Sequence, residues 1–252
     1  MPKFAANLNW LFTEHDFLDR FAAASKAGFK GVECLFPYEF DASEVANRLS
    51  ENDLEAVLIN APPGDWQAGD RGLGCLAGRE LEFRESVIQA IAYASAIKCP
   101  RIHIMAGICG SEGKEKFVEN LKYASDACAE AGITGLIEPI NDIDMPGYYL
   151  TQYEQALDIL HVVGRLHLGL QLDLYHTARM GKDPEKAIKV CGNVISHFQI
   201  AGVPDRHEPD TGDVDYDKLF NRIDETDFDG WIGCEYRPKT NTVDGLGWLP
   251  SL

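Results

Sequence analysis

Eight times along this chain a short apolar run is followed by a longer stretch patterned for a helix, and that alternation narrows the possible architectures more than any other feature. The short runs are Phe4 to Leu8, Gly31 to Leu35, Leu54 to Ile59, Arg101 to Met105, Thr134 to Glu138, Leu168 to Asp173, Ile195 to Gln199 and Trp231 to Glu235, each read as a strand. Between them lie helical patterns. Phe17, Leu18, Phe21 and Ala22 recur at helical spacing after Thr13, which is placed to cap them, and Ala42 to Glu51 follows. Glu80 to Ile97 carries Phe83, Val87, Ile91 and Ala94 on one face, and another helix falls within Lys114 to Ala131. Thr151 and Glu154 have capping-box spacing ahead of Ala156, Leu157, Leu160 and Val163. The last helices are Pro184 to Cys191 and Tyr216 to Glu225.

Eight strand–helix units in 252 residues predict a single (β/α)8 TIM barrel over residues 1–252. The chain ends so soon after Glu235 that an eighth helix must be short, over Thr242 to Trp248. A doubly wound open sheet that bound a dinucleotide would carry a glycine-rich turn after its first strand, where this chain has Leu8-Asn9-Trp10-Leu11. The connections are lopsided. Those from helix to strand are brief, such as Asn52-Asp53 and Gly132-Ile133, whereas Asn60 to Arg79, Pro139 to Thr151 and Ile200 to Asp215 are long. In a barrel the long set opens at the C-terminal mouth, where enzymes of this shape keep their chemistry.

Acidic residues outnumber basic ones 40 to 23, for a net charge of −17. Such a surface repels phosphate backbones, and with no clustered basic patch a nucleic-acid partner is not expected. No apolar run reaches the roughly 18 residues of a membrane span, and the N-terminus lacks the apolar core of a secretory leader. The seven cysteines (34, 75, 99, 109, 128, 191 and 234) include no C-x-x-C pair. They are expected to be small buried hydrophobes rather than a disulfide framework or zinc site, which fits a reducing, cytoplasmic location.

Four consecutive strands end on an oxygen-bearing side chain: Glu138, Asp173, Gln199 and Glu235. Alternation in the sixth strand sends Leu168, Leu170 and Leu172 toward the helices and Gly169, Gln171 and Asp173 inward; in the fourth it sends His103 and Met105 inward. The four tips are therefore expected to converge. Three carboxylates crowded in a partly desolvated mouth repel one another, and a divalent cation relieves the repulsion. An all-oxygen set of Glu138, Asp173, Gln199 and Glu235 suits Mg²⁺ or Mn²⁺ better than zinc. Unrelated ion pairs at strand ends are the alternative for any one of them, and Gln199, being neutral, serves equally well as a hydrogen-bonding liner.

Several segments together resemble the hydroxypyruvate isomerase family, within the xylose-isomerase-like sugar isomerase and epimerase barrels, over nearly the full length. They are Phe4-Ala5-Ala6-Asn7-Leu8, Asn60-Ala61-Pro62-Pro63-Gly64-Asp65, Ile102 to Gly107, Glu138-Pro139-Ile140-Asn141, Gln199 to Pro209 and Gly233-Cys234-Glu235-Tyr236. The resemblance implies conversion of hydroxypyruvate to tartronate semialdehyde, with Glu138 and Glu235 as proton donor and acceptor and Asp173 and Gln199 completing a metal site. Many epimerases of the superfamily have His where this chain has Gln199. It also implies that His176, three residues past Asp173, touches substrate.

The substrate of such a reaction is a small anionic keto or hydroxy acid, and an acidic protein needs a local cation to recruit it. Arg206, whose fork suits a carboxylate, is the leading candidate; pairing with Asp205 or Glu208 is its structural alternative. His103 faces inward, to meet a substrate oxygen, to orient Glu138 or simply to sit satisfied in the core. Glu33 and Asn7 also fall inward. Pro62 to Trp66 with Gly69, Gly72, Gly74 and Gly78 suggests a structured lid, on which Arg71 and Arg79 are expected at the surface. The rival readings are the same chemistry on 2-oxo-tetronate, a metal-dependent lyase or phosphodiesterase, for which histidines at strand ends are too few, and a noncatalytic sugar-acid binder. A homo-oligomer is compatible with the sequence.

Overall fold

The computed structural model describes residues 2–110 and 113–249. Eight parallel strands close into a barrel in chain order: β1 Lys3–Asn7, β2 Gly31–Cys34, β3 Glu55–Asn60, β4 Arg101–His103, β5 Thr134–Ile137, β6 Leu168–Asp173, β7 Ile195–Ile200 and β8 Trp231–Cys234. β1 pairs with β2 and with β8, which completes the ring. The helices are α1 Arg20–Lys26, α2 Ala42–Glu51, α3 Glu80–Ala96, α4 Gly113–Glu130, α5 Tyr153–Val163, α6 Leu174–Arg179, α7 Pro184–Cys191 and α8 Tyr216–Asp224. The anticipated eighth helix is a short 3-10 segment, Val243–Trp248.

Local chemistry starts several helices where the sequence implies. Asp183 accepts from the Glu185 and Lys186 amides, with Pro184 at the first helical position, and opens α7. Asp215 does the same for α8 through the Lys218 amide. Two expected caps do not form. Thr13 caps nothing, because the chain around it is tied elsewhere: the Phe12 amide donates to Thr242 Oγ1 at 2.6 Å, and Glu14 accepts from the Thr242 amide. Turns therefore persist to a 3-10 turn at Phe17–Asp19. At α5 the cap position is Gln152 rather than Thr151, and Glu154 pairs with Lys182 at 3.0 Å instead of reaching back. Gln155 takes over the entry, accepting from the Thr151 amide and donating to the Tyr149 carbonyl.

One cysteine expectation is also corrected. Cys75, in the β3–α3 loop, is disulfide-bonded to Cys109, in the β4–α4 loop, with 6.3 Å between their Cα atoms. The two are far apart in sequence but both loops open at the same mouth, where the Cys75 amide donates to the Ala106 carbonyl at 2.7 Å. The other five cysteines are buried and free. Among the described residues no helix is long and apolar enough to cross a membrane.

The barrel is filled in layers. Ala5, Val57, Leu58 and Leu136, in the middle of their strands, form a small apolar cluster of their own beside Trp231. One step up each strand the inward positions turn polar: Asn7, Glu33, Gln171, His197 and Gln199 are all at most 1% exposed. This polar layer is the floor on which the mouth is built.

Candidate active site

Glu33 is the hub of the floor. Its carboxylate accepts from Asn7 Nδ2 at 2.9 Å and Gln199 Nε2 at 3.0 Å, and its Oε1 is hydrogen-bonded to His197 Nε2. Gln199 in turn accepts from Gln171 Nε2 at 2.6 Å. Room for Glu33 comes from β8: at Gly233 a Cβ would collide with this carboxylate, so glycine is needed there for space. Gln199 was expected at a strand tip; β7 instead runs on to Ile200, and Gln199 lies one residue inside it on the buried floor, with its amide nitrogen engaged by Glu33 and its oxygen by Gln171.

Above this floor the strand tips converge. Glu138 lies one residue past β5, and its Oε2 is 3.4 Å from His103 Nδ1. Asp173 ends β6 and spends Oδ1 on opening α6, accepting from the Tyr175 amide at 2.8 Å and the His176 amide at 3.4 Å. Its Oδ2 is buried with no hydrogen-bond partner. His176 Nε2 stands 3.5 Å from that Oδ2 and 3.8 Å from Glu138 Oε1, and Glu138, Asp173 and His176 offer ligand atoms within 4.8 Å of one another. The short helix α6, absent from the sequence reading, is what turns His176 back over Asp173.

Glu235, one residue past β8, faces this group across Arg206. Arg206 Nη2 is 2.7 Å from Glu235 Oε1 and 4.0 Å from Asp173 Oδ2. The guanidinium lies over the rings of Trp10 at 4.6 Å and Tyr175 at 4.9 Å. Its backbone has φ +58°, a left-handed conformation uncommon for a residue with a Cβ and a small store of strain. That backbone is held by the Arg206 amide on the Gly202 carbonyl at 2.8 Å and the Arg237 amide on the Arg206 carbonyl at 2.7 Å. Arg206 therefore faces the mouth rather than Asp205 or Glu208.

Burial and mutual repulsion set the protonation of this cluster. Burial, then Glu235 and Asp173, push the Glu138 carboxyl well above its ordinary value, against the pull of Arg206. Burial raises Glu235 to about 8 and Asp173 to about 6, although Arg206 lowers both. Burial works against the Arg206 charge but Glu235, Asp173 and Glu138 outweigh it. Burial and nearby His197 hold His103 down at about 3, and burial with Arg206 keeps His176 well below its usual range. The result is Asp173 and Glu235 carboxyls that can carry or give up a proton near neutrality and a Glu138 carboxyl raised in the same direction, beside neutral imidazoles and one fixed cation.

All seven site residues singled out from the sequence (Glu138, Asp173, Gln199, Glu235, Arg206, His176 and His103) meet in this mouth or on its floor. Sequence reasoning passed over four others. Trp10 and Tyr175 both present their rings to Arg206; Asn141 holds His176, with Nδ2 2.6 Å from its Nδ1; Asp144 accepts from Tyr175 Oη at 2.7 Å. Asn141 was visible only as part of Glu138-Pro139-Ile140-Asn141, and Trp10 only as the residue occupying a first-strand turn. In the β3–α3 loop Arg71 and Arg79, expected at the surface, are half-buried: Arg79 bonds Asp70 through both terminal nitrogens and Arg71 lies 3.9 Å from the Trp66 ring.

The profile of the xylose isomerase-like TIM barrel family matches residues 21–252. Over 99% of its length the chain is 49% identical to the 2-oxo-tetronate isomerase of Cupriavidus necator, spanning 98% of that relative. It is 44% identical to the hydroxypyruvate isomerase of Escherichia coli K12, again over 99% of this chain and 98% of the relative. A crystal structure described as an AP endonuclease of family 2 from Brucella melitensis superposes with a TM-score of 0.97 at 46% identity, covering 98% of each chain.

Proposed function

We propose, from the premise that this chain belongs to the xylose isomerase-like TIM barrel family, that it is an isomerase of small α-keto acids carrying a hydroxyl on the next carbon. Hydroxypyruvate, interconverted with tartronate semialdehyde, is the smallest such substrate. The observation that carries the reading is the pair Glu138 and Glu235, buried on separate strand tips with both carboxyls raised and Arg206 between Glu235 and Asp173.

The reaction removes a proton from C3 of hydroxypyruvate and delivers one to C2, while the hydroxyl proton passes from the C3 oxygen to the C2 oxygen. Atoms and charge balance without an oxidant or reductant. The intermediate is an enediolate, so the site must hold one carboxylate as base, one carboxylic acid as donor, and positive or hydrogen-bonding groups for the developing charge. Glu138 and Glu235 supply the first two roles, both carboxyls being raised by burial so that one can hold the proton the other has given up. Arg206 supplies fixed positive charge beside Glu235 and offers its fork to the substrate carboxylate. His103 and His176, both neutral, line the same space.

The residues also fit a divalent cation. The buried, unpartnered Asp173 Oδ2 and the mutually repelling carboxyls are what a hard ion would satisfy. Glu138, Asp173 and Glu235 would hold it, with Gln199 Oε1 as the fourth oxygen, and Mg²⁺ or Mn²⁺ suits that set. Bound there, such an ion would act as a Lewis acid toward the substrate oxygens. A neighbouring reading is 2-oxo-tetronate as substrate, favoured by the higher identity to the relative of that name. A net charge of −17 opposes a nucleic-acid substrate.

Incubation with hydroxypyruvate and with 2-oxo-tetronate in D₂O, followed by proton NMR, tests the proposal. Deuterium entering the carbon beside the carbonyl, together with aldehyde product, is the expected result. A purified, folded protein that leaves both acids unchanged with Mg²⁺ or Mn²⁺ present would sink it.

A further inference from the structure

The mouth contains a histidine whose hydrogen-bond polarity is decided by an asparagine outside the reacting cluster. Asn141 is fully buried on the loop after β5. Its Oδ1 accepts from the Ile143 amide at 3.1 Å and the Asp144 amide at 2.8 Å. Two backbone donors cannot face an NH₂ group, so the amide has only one orientation, with Nδ2 pointing the other way. That nitrogen has two hydrogens and two neighbours: Asp144 Oδ2 at 3.0 Å and His176 Nδ1 at 2.6 Å. Asp144 Oδ2 is an acceptor already receiving Tyr175 Oη. The remaining Asn141 hydrogen therefore goes to His176, whose Nδ1 must accept it.

We propose that Asn141 is a positioning residue that locks the His176 ring with its proton on Nε2, making His176 a hydrogen-bond donor into the mouth and removing it from the set of groups able to ligate a metal. A ring nitrogen that bears a proton has no lone pair to give. The distances agree with a donor awaiting an acceptor: Nε2 stands 3.5 Å from the unpartnered Asp173 Oδ2 and 3.8 Å from Glu138 Oε1, a gap that an oxygen of a bound ligand would fill. Proximity alone groups Glu138, Asp173 and His176 as a candidate ion site; the polarity argument leaves the two carboxylates and excludes the imidazole. The identity of the ligand oxygen, an oxygen of the keto acid, rests on the function proposed above, whereas the position of the proton does not.

The test is nitrogen-15 NMR of the whole protein labelled at histidine, without substrate or metal, at neutral pH. His176 is assigned by the peaks missing from His176→Gln. The expected pattern is a pyrrole-type Nε2 carrying hydrogen and a bare, pyridine-type Nδ1. Asn141→Asp keeps an oxygen for the two backbone amides but replaces the donor with an acceptor, so it should move the ring proton to Nδ1. Where two carboxylates at 141 and 144 weaken the loop, Asn141→Asp with Asp144→Asn restores a donor between them. Loss of the Nε2 donor should lower kcat by about 10²-fold, the usual effect of deleting one oxyanion donor, with far less change in KM. A bare Nε2 in the unsubstituted protein, or a ring unchanged by Asn141→Asp, would overturn the proposal. Because the spectrum needs no turnover, a protein inactive on every keto acid could still display the predicted ring, and the two ideas fail separately.

Discussion

Arg206 Nη2 and Glu235 Oε1 are 2.7 Å apart, so one candidate proton carrier of the mouth is already joined to the cation expected to receive the substrate. A carboxylate ligand entering this site has to share Arg206 with Glu235, and sharing weakens the pull that Arg206 exerts on the Glu235 carboxyl. Substrate binding is thereby coupled to the basicity of the group that moves the proton.

Arg206→Lys keeps the charge but loses the fork and the guanidinium contacts with the Trp10 and Tyr175 rings. We expect kcat/KM for hydroxypyruvate to fall by about 10²-fold or more, comparable to deleting a charge-stabilising donor. Steady-state kinetics with a coupled reductase measures it. A variant within a few-fold of the parent would mean that the substrate carboxylate is held elsewhere.

Glu138→Gln and Glu235→Gln each remove a proton carrier while keeping shape. Each is expected to cost about 10²–10⁴-fold in kcat, the range of general acid–base contributions. Asymmetry is informative: the variant that still exchanges the C3 hydrogen with D₂O retains the base for that direction. Near-parental turnover in either would dissolve the pair.

The raised carboxyls also make stability depend on pH. Each holds its proton to a higher pH in the folded state than in the unfolded chain, so between the ordinary carboxyl range and about pH 8 the folded protein binds more protons. Stability is fully present at the acidic end of that window and is lost as pH rises through about 6 for Asp173 and about 8 for Glu235. In a chelator the melting temperature should therefore fall from pH 5 to pH 8. Added Mn²⁺ should raise it, most strongly at pH 8, because ligand oxygens must be deprotonated to bind. Scanning calorimetry across this range, with EDTA or Mn²⁺, gives the answer; a chelated protein equally stable at both ends contradicts the assignment.

Glu33→Ala should be the most damaging substitution outside the mouth. It leaves hydrogen-bonding groups of Asn7, His197 and Gln199, all buried, without their acceptor. Stranding one buried polar group costs about 1–3 kcal/mol, so a loss of roughly 3 kcal/mol or more is expected in urea unfolding. A loss below about 1 kcal/mol would mean that water or repacking satisfies the three.

Much of this was readable in one dimension. The strand for Leu168 to Asp173 and the helices Ala42–Glu51 and Pro184–Cys191 keep their expected bounds, because strand alternation and helical patterning are local signals. The mouth was readable too, since period-two alternation puts Asp173 and Gln171 on one face whatever the neighbouring strands do. Thr13 and Thr151 had equally good local credentials and failed, each through contacts with remote or competing groups: Thr242 for the first segment, Gln155 and Lys182 for the second.

What the amino-acid order determined by itself is the barrel, its single mouth and the list of acidic tips at that mouth, because these follow from periodicities that need no partner. Tertiary structure decided which atoms of those side chains are free. Asp173 Oδ1 is consumed by α6 while Oδ2 is left bare; Gln199 is turned by Glu33, and His176 by Asn141. Hydrogen-bond polarity is a property of pairs: the Asp173 cap is local, but the Glu33–Gln199 and Asn141–His176 pairs join residues from different strands and loops, so no reading along one segment contains them.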